Sequence, residues 1–157
     1  MKQSIEGLGF GSLISKIKSL KAEGIIFLID EFVWELYQDQ LFSETLGLKT
    51  GKRIIWKVLP RGEKAKCFDV YERVCEEILE EKIHRNFHVI ACGGGATSDI
   101  SGFIAASLLR GLPWSVLPTT LLSMVDASIG GKTGINSKFG KNLIGAFHMP
   151  DHVWLNP

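Results

Sequence analysis

The stretch His88 to Gly95, HVIACGGG, decides the fold of this chain. Its first five residues form an apolar run with the length and β-branched character of a buried strand, and three glycines follow directly. Glycines at the end of a strand let backbone N–H groups approach a ligand closely, and a following helix adds the positive end of its dipole. The stretch predicts a strand, a tight turn and a helix. An anion site and a tight turn without a ligand are both open interpretations.

Strands and helices alternate on both sides of this stretch. Upstream, Gly24–Asp30 and Arg53–Leu59 are short runs typical of strands, and apolar residues at helical spacing predict a helix over residues 70–79. Downstream, we expect a helix over Ser98–Leu109 and a strand over Trp114–Leu117. This order predicts an α/β fold, a Rossmann-like and mostly parallel sheet with helices on both faces. Such sheets bind ligands outside the carboxyl ends of their strands.

Length and composition are those of one soluble globular domain. The chain has 157 residues, of which 45% are apolar and 22% charged, and a formal net charge of +1. This charge provides no basic field for nucleic acid, and neither a membrane span nor a signal peptide is recognisable. The odd cysteine count, three, does not fit a closed disulfide framework. We therefore expect a cytoplasmic protein with reduced cysteines and no nucleic-acid or membrane partner.

Two aspartates are candidates for contact with a nucleotide. The glycine turn departs from the G-x-G-x-x-G fingerprint because Ser98 occupies the third glycine position, and the next strand lacks the usual ribose-binding acid. Asp30, at the end of the first strand, is the better candidate for that contact. Asp99 is expected where the helix begins. A carboxylate there either caps the helix, worth roughly 0.5–2 kcal/mol, or meets a ligand hydroxyl.

The segment from Thr119 to Phe147 is rich in Gly, Ser, Thr, Lys and Asn. A stretch this polar within an apolar domain predicts a functional loop and short helix. Gly130–Gly134, GGKTG, suggests a P-loop, but the Walker spacing requires glycine where this chain has Asp126. A carboxylate at that position would repel phosphates, so an ATPase is disfavoured.

The same segment carries candidate anion-binding side chains. Lys132, Lys141 and Asn142 lie among glycines whose N–H groups are potential donors. They predict a site for a phosphate or carboxylate substrate, with a lysine-bearing surface loop as the alternative. No metal site is predicted, because Pro150 separates His148 from His152 and prevents them from sharing a helical face.

Six segments together resemble the 3-dehydroquinate synthase family, in order and at family spacing. They are PRGEKAK (60–66), VIACGGGATSDISGF (89–103), LLRG (108–111), PTTLL (118–122), VDASIGGKTGIN (125–136) and GKNLIGAF (140–147). The match is dense over residues 89–150, sparser over 24–66 and weak before that. Each motif alone is poor evidence, whereas six in register are specific.

The resemblance implies an enzyme of the shikimate pathway. Members convert the sugar phosphate 3-deoxy-D-arabino-heptulosonate 7-phosphate into 3-dehydroquinate and phosphate, using NAD as a transient oxidant and a divalent metal, zinc or cobalt. By resemblance, the NAD contacts are Asp30, Glu63, Lys66, Gly94, Gly95, Asp99, Thr119, Thr120, Leu122 and Lys141. The implied catalytic residues are Asp126, Lys132 and Asn142. Arg110, Lys132 and Asn142 would hold the substrate phosphate, with Arg110 reaching the neighbouring subunit of a homodimer.

Two departures from the family pattern bear on NAD affinity. Ser98 replaces a common glycine, and Phe32 stands where many members have a polar residue near the adenosine ribose. The resemblance also implies that residues 1–157 are the NAD-binding N-terminal domain and that the metal ligands lie in a C-terminal helical domain outside this chain. We expect the chain alone to fold and bind NAD weakly, without turnover.

Three other functions are compatible with parts of the pattern. Another sugar-phosphate cyclase of the same superfamily would share most of the motifs. An iron-dependent alcohol dehydrogenase would share the fold and the glycine turn, but we do not expect it to carry GKTGIN (131–136) followed by GKNLIGAF (140–147). A non-enzymatic nucleotide-binding module requires that the natural chain end at Pro157.

Overall fold

Six parallel strands form the main sheet in a computed structural model that describes residues 4–7, 12–41, 49–127 and 130–155. These strands are β1 (Ser4–Gly7), β2 (Gly24–Asp30), β3 (Arg53–Leu59), β4 (Phe87–Gly93), β5 (Trp114–Pro118) and β8 (His152–Leu155). Their order across the sheet is β1-β8-β5-β4-β2-β3. Every neighbouring pair is parallel, as the alternation of strands and helices predicts.

Helices cover both faces of this sheet. Helices α1 (Leu13–Ser19) and α2 (Glu31–Leu41) pack on one face, and α3 (Phe68–Glu80) and α4 (Gly95–Ser107) pack on the other. Alternate residues of β2 belong to the two apolar cores, with Ile25, Phe27 and Ile29 in one and Ile26 and Leu28 in the other. The predicted α/β fold with helices on both faces is confirmed.

The predicted strands match closely, whereas one predicted helix boundary is wrong. The bounds predicted for β2 and β3 are those observed, and β4 and β5 are each only slightly longer than predicted. Helix α4 begins at Gly95, within the glycine triplet, rather than at Ser98. Glycine and threonine have low helix propensity, so the sequence pattern places the start too late. Packing of Thr97 against Gly93 compensates in the folded chain.

The polar segment after β5 contains a hairpin that the sequence pattern does not predict. A short helical turn, Ser123–Ala127, agrees with the expected short helix. Strands β6 (Lys132–Ser137) and β7 (Gly140–Phe147) then form an antiparallel pair, so the loop predicted for these residues is wrong. The strands carry several glycines and polar side chains, which weaken the usual alternating pattern.

The hairpin packs closely on α4 because residue 102 is glycine. A Cβ at Gly102 would lie 2.3 Å from Thr133 Cγ2 and 2.7 Å from Trp114 Cη2. Thr133 and Ile135 are buried in this contact. Gly102 therefore fixes the position of the hairpin relative to the helix that starts at the glycine turn.

His88 and Cys92 of β4 and Cys75 of α3 are titratable groups with structural roles. His88 Nε2 lies 2.7 Å from Ser115 Oγ, and burial lowers its pKa to about 3, so the imidazole is neutral. Burial raises the pKa of the Cys92 thiol to about 12 and that of the Cys75 thiol to about 11. All three cysteines are free, and these two are unreactive thiols near neutral pH. None of the described helices is long and apolar enough to cross a membrane.

Candidate nucleotide-binding site

The chain changes direction across the sheet between β2 and β4. From β2 it moves outward to the edge strand β3, and β4 then lies on the other side of β2. Helix α2 leaves β2 on one face and α4 leaves β4 on the opposite face. Such a reversal opens a crevice at the carboxyl ends of the two strands, where α/β sheets bind their ligands. The amino ends of both helices border this crevice, so their dipoles favour a negative group there.

A cavity of about 460 Å³ occupies this crevice, within the range of roughly 300–1,000 Å³ that holds small molecules. Four segments form its walls: the glycine turn with the start of α4, the start of α2, the residues that follow β3, and the residues that follow β5. The lining side chains and backbone groups include those of Asp30, Phe32, Tyr37, Arg61, Gly94, Gly95, Thr97, Thr119 and Thr120. Five of the predicted NAD contacts, Asp30, Gly94, Gly95, Thr119 and Thr120, therefore share one cavity.

The glycine turn exposes backbone donors to this cavity. Gly94 is the N-cap residue of α4 in an extended conformation, and the first N–H groups of a helix have no acceptor within the helix. A Cβ at Gly94 would lie 3.4 Å from Thr120 Cγ2, so alanine fits here without displacing the backbone. The turn thus combines free backbone N–H groups with the positive helix end, which is suited to a diphosphate.

The Asp30 carboxylate connects three of the four walls of the cavity. Its Oδ1 accepts hydrogen bonds from the N–H groups of Phe32 at 2.9 Å and Val33 at 3.4 Å, which caps α2. Its Oδ2 lies 3.4 Å from the Gly62 nitrogen and 3.5 Å from Thr97 Oγ1. The side chain is 8% exposed. Asp30 therefore has a structural role in holding the crevice, and it borders the position expected for a ribose.

Arg61 and Phe32 form an aromatic and cationic wall on the α2 side. The Arg61 guanidinium carbon lies 4.3 Å from the centroid of the Phe32 ring, a cation–π contact. Phe32 is 42% exposed, so this stacked pair is accessible from the cavity. The sequence pattern singles out Phe32 only as a departure and does not identify Arg61. The sequence feature that could have identified Arg61 is the Pro60-Arg61-Gly62 turn directly after β3.

A second polar group joins the hairpin to α4 beside the crevice. Lys66 Nζ donates to Asp99 Oδ2 and to Asn142 Oδ1, both at 2.5 Å, and it lies 4.0 Å from Glu63 Oε1. The Lys66 side chain is 3% exposed and that of Asp99 is 25% exposed. Burial raises the pKa of Asp99 above its usual value, and the contact with Lys66 opposes this shift. Four predicted site residues, Glu63, Lys66, Asp99 and Asn142, are thus in one network.

Asn136 links the hairpin to this network and was missed as a site residue. Its backbone N–H donates to the Lys66 carbonyl at 2.9 Å, and its Nδ2 donates to Glu63 Oε2 at 2.9 Å. Its Oδ1 accepts from the Asn142 backbone N–H at 3.1 Å. Asn136 is the last residue of the GKTGIN motif, and its place in this motif could have identified it as a site residue.

The position predicted for Asp99 is wrong. Because α4 begins at Gly95, Asp99 lies in the second turn of the helix rather than at its start, and it cannot cap the helix. Its carboxylate pairs with Lys66 instead. The prediction failed because it rested on the late helix start.

The remaining predicted residues are not brought together. Lys132 is exposed and pairs with Phe147 at the open end of the hairpin, whereas Lys141 and Asn142 lie near its turn. Arg110 lies beyond the carboxyl end of α4, at the opposite end of the helix from Gly94. Leu122 is 74% exposed on the segment after β5. The backbone of Asp126 lies in the short helical turn, but its side chain is outside the described part of the chain.

The described residues contain no group of three or more His, Cys, Asp or Glu side chains placed to hold a metal ion. His148 Nε2 lies 2.8 Å from the Leu112 carbonyl oxygen, and its ring stacks on Trp114. His84 lies beside Glu23 at the amino edge of the sheet. These contacts give each of the two histidines a local structural role.

The fold and the crevice are those of the doubly wound α/β class, whose members bind ligands where the strand order reverses. The family model described as 3-dehydroquinate synthase N-terminal matches residues 56–157, about two thirds of the chain. The chain belongs to this family.

Curated relatives agree with this family. A 3-dehydroquinate synthase from Rhizobium etli is 45% identical over 141 residues, which cover 90% of this chain and 36% of that protein. One from Staphylococcus aureus is 49% identical over 126 residues, covering 80% of this chain and 34% of that protein. The chain spans about a third of the length of these relatives.

Solved structures share the fold along the whole chain. A 2-epi-5-epi-valiolone synthase from Streptomyces hygroscopicus, solved with NAD+ and Zn2+ bound, has a TM-score of 0.85 at 29% identity, covering 100% of this chain and 43% of that one. An iron-containing alcohol dehydrogenase has a TM-score of 0.74 at 15% identity, covering 100% of this chain and 46% of its own, and at this identity the likeness concerns the fold alone.

Proposed function

We propose that this chain, residues 1–157, is the NAD-binding domain of a 3-dehydroquinate synthase. The whole protein would convert 3-deoxy-D-arabino-heptulosonate 7-phosphate into 3-dehydroquinate and phosphate in the shikimate pathway. The family membership and the names of the relatives support this activity. The structural observation that carries the proposal is the crevice between β2 and β4, where a glycine turn and two helix ends border a cavity next to the polar network of the hairpin.

The residues that border the crevice fit a dinucleotide. The N–H groups after Gly94 would hold the diphosphate, and the stacked Arg61 and Phe32 would contact the adenosine end. The structure of the valiolone synthase with NAD+ supports the assignment of this cofactor. The proposed NAD contacts are Asp30, Glu63, Lys66, Gly94, Gly95, Asp99, Thr119, Thr120, Leu122 and Lys141.

The hairpin and the helical turn before it would hold the substrate. Bound NAD would supply a reversible hydride acceptor for one secondary alcohol of the substrate. The ketone formed in this way would acidify the neighbouring C–H and so permit elimination of phosphate. Asn142 would contact the phosphate, Lys132 would contact another part of the substrate, and Asp126 would orient substrate hydroxyls. Since Lys132 and Asn142 lie at opposite ends of the hairpin, they would contact different parts of an extended ligand.

We propose that the whole protein binds a divalent metal, zinc or cobalt. The residues described above would not form its site. The described residues provide no cluster of ligands for it. We propose that its ligands lie in a helical C-terminal domain outside this chain.

The position of Arg110 supports a homodimer. Helix α4 has 13 residues and is therefore about 20 Å long, so Arg110 at its far end is remote from the crevice at Gly94. An arginine placed there is better located to serve the phosphate site of a second subunit. We propose a homodimeric, cytoplasmic enzyme in which Arg110 does so.

A second candidate is a cyclase of the same superfamily that acts on another sugar phosphate. The likeness to the valiolone synthase supports this candidate, because the fold agrees over 100% of this chain with a TM-score of 0.85 at 29% identity. The family match and the higher identity to 3-dehydroquinate synthases favour the first.

Turnover by the full-length protein tests the proposed function. With NAD+ and a divalent metal, we expect release of phosphate and formation of 3-dehydroquinate from the heptulosonate phosphate, and no turnover by residues 1–157 alone. The measurement is a coupled phosphate assay run in parallel on several sugar phosphates. Turnover of a different sugar phosphate alone would favour the second candidate, and dehydroquinate made by residues 1–157 would refute the requirement for a second domain.

Substitution of Gly94 by alanine tests the glycine turn. The added Cβ fits beside Thr120 but occupies the space through which the diphosphate approaches the backbone, so we expect NAD+ affinity to fall about tenfold, or about 1.4 kcal/mol. The measurement is calorimetric titration, with thermal unfolding as a check on folding. Asn86→Ala is the control, because residue 86 is exposed and precedes β4 at the opposite edge of the sheet. If Gly94→Ala and the wild type bind NAD+ with equal affinity, the glycine turn does not contact the cofactor.

A further inference from the structure

The orientation of the Asn142 carboxamide is determined by the chemistry of its neighbour. A lysine ammonium has three donors and no acceptor, so the Asn142 atom 2.5 Å from Lys66 Nζ must be the carbonyl oxygen. The NH2 group then faces away from Lys66. Among the described residues this NH2 group donates no hydrogen bond, and residue 142 is exposed.

The backbone of Asn142 is fixed independently of this contact. Its φ is +58°, in the left-handed region that asparagine tolerates better than most residues. Its N–H donates to Asn136 Oδ1, and Asn136 is itself held by Glu63 and the Lys66 carbonyl. Rotation of the carboxamide is therefore the main remaining freedom of this side chain, and Lys66 removes it.

The charge of Lys66 is already balanced within the network. Asp99 lies 2.5 Å from its Nζ, Glu63 lies 4.0 Å away, and the Lys66 side chain is 3% exposed. An anion entering from solvent would consequently meet the N–H donors of Asn142 rather than the ammonium. Lys66 acts on such a ligand through Asn142.

We propose that Lys66 is a positioning residue, which turns the Asn142 carboxamide so that its two N–H donors select an oxyanion. The inference rests on the proposed function only in identifying that oxyanion as the phosphate of the substrate. It assigns Lys66 a role beyond contact with NAD and makes Asp99 the group that keeps the ammonium in place.

Titration of the 157-residue chain with inorganic phosphate, followed by 15N–1H spectra, tests this inference. In the wild type we expect the side-chain NH2 signals of Asn142 to move on addition of phosphate. Lys66→Met combined with Asp99→Asn removes both charges together and frees the carboxamide, and we expect phosphate affinity to fall at least about fivefold, or about 1 kcal/mol. Asn142→Asp keeps the bond to Lys66 but presents a carboxylate outward, and we expect a loss above about tenfold.

Asn86→Asp is the matched control, because it introduces the same charge near the start of β4, at the opposite edge of the sheet. We expect it to bind phosphate as the wild type does. The inference would be overturned if the double variant bound phosphate with wild-type affinity. It would also be overturned if the Asn142 NH2 signals of the wild type did not shift on addition of phosphate. The measurement of the Asn142 NH2 signals uses only the wild-type chain, so it does not depend on the folding of any variant.

NAD+ titration of the same samples separates this inference from the proposed function. Absence of NAD+ binding to the wild-type chain, with an intact response of Asn142 to phosphate, contradicts the proposed function alone. NAD+ binding without any response of Asn142 to phosphate contradicts the positioning role alone.

Discussion

Replacement of Lys66 by methionine lowers the free energy of unfolding by about 3 kcal/mol at pH 7, because it leaves a largely buried carboxylate without its partner. The Asp99 side chain is only 25% exposed, and Lys66 Nζ is the cation in contact with it. Methionine fills a similar volume, so the lost ion pair and hydrogen bonds account for most of the change. Chemical denaturation of the two proteins measures the difference.

The pH dependence of this difference has a definite sign. Burial raises the pKa of Asp99 in the folded chain, and the hydrogen bond and charge of Lys66 oppose that rise. Without Lys66 the folded-state pKa rises further, so the folded variant retains the proton at a pH where the unfolded chain has lost it. The destabilisation is then largest above the folded-state pKa and shrinks as the pH falls towards the unfolded value of about 3.9.

Asp99→Asn in the Lys66→Met background is the control for this prediction. The neutral amide removes the unpaired charge, so we expect the double variant to recover at least half of the lost free energy at pH 7. A loss that is independent of pH, or a double variant no more stable than Lys66→Met, would show that the ion pair is not responsible.

Substitution of Gly102 by alanine should separate the hairpin from α4 and destabilise the chain by about 2 kcal/mol. Alanine improves helix propensity by about 1 kcal/mol, but overpacking costs about 3 kcal/mol where the neighbours cannot move. The new Cβ would lie 2.3 Å from Thr133 Cγ2 and 2.7 Å from a Trp114 ring carbon, and both side chains are buried. The clash therefore outweighs the gain in propensity. Thermal and denaturant unfolding measure the result.

Thr133→Ser tests whether this clash is the cause. Serine lacks the Cγ2 methyl but keeps the hydroxyl that donates to the Ala146 carbonyl at 2.7 Å. The Gly102→Ala, Thr133→Ser double variant should therefore be more stable than the sum of the two single changes predicts, by about 1 kcal/mol. Strict additivity would contradict the proposed contact.

The parallel sheet was predictable because its central strands are buried on both faces. Residues 24–30 and 53–59 are short apolar runs between polar breaks, and their predicted bounds are those observed. The crevice at Asp30 and Gly94 followed from the same rule, since ligands of parallel sheets bind at the carboxyl ends of strands. A local sequence pattern is sufficient to predict a strand where burial determines the type of its residues.

The hairpin and the network around Lys66 were not predictable from local pattern. Strands β6 and β7 contain paired glycines at 134 and 145 and polar side chains that contact other segments. Their β structure is stabilised by packing on α4, which depends on Gly102, 30 residues upstream of the first strand. Lys66, Asp99 and Asn142 are likewise far apart along the chain, so only the folded structure shows their contacts.

The most direct test of the central claim is an NAD+ titration of the 157-residue chain, observed through its backbone amide signals. If a dinucleotide binds in the crevice between β2 and β4, the amides of Gly94, Gly95, Thr97 and Thr120 will shift at millimolar NAD+, while those of Gly24, Arg53 and Phe87 at the amino edge will not. An unchanged spectrum, or shifts concentrated at the amino edge, would contradict the assignment of this crevice as the nucleotide site.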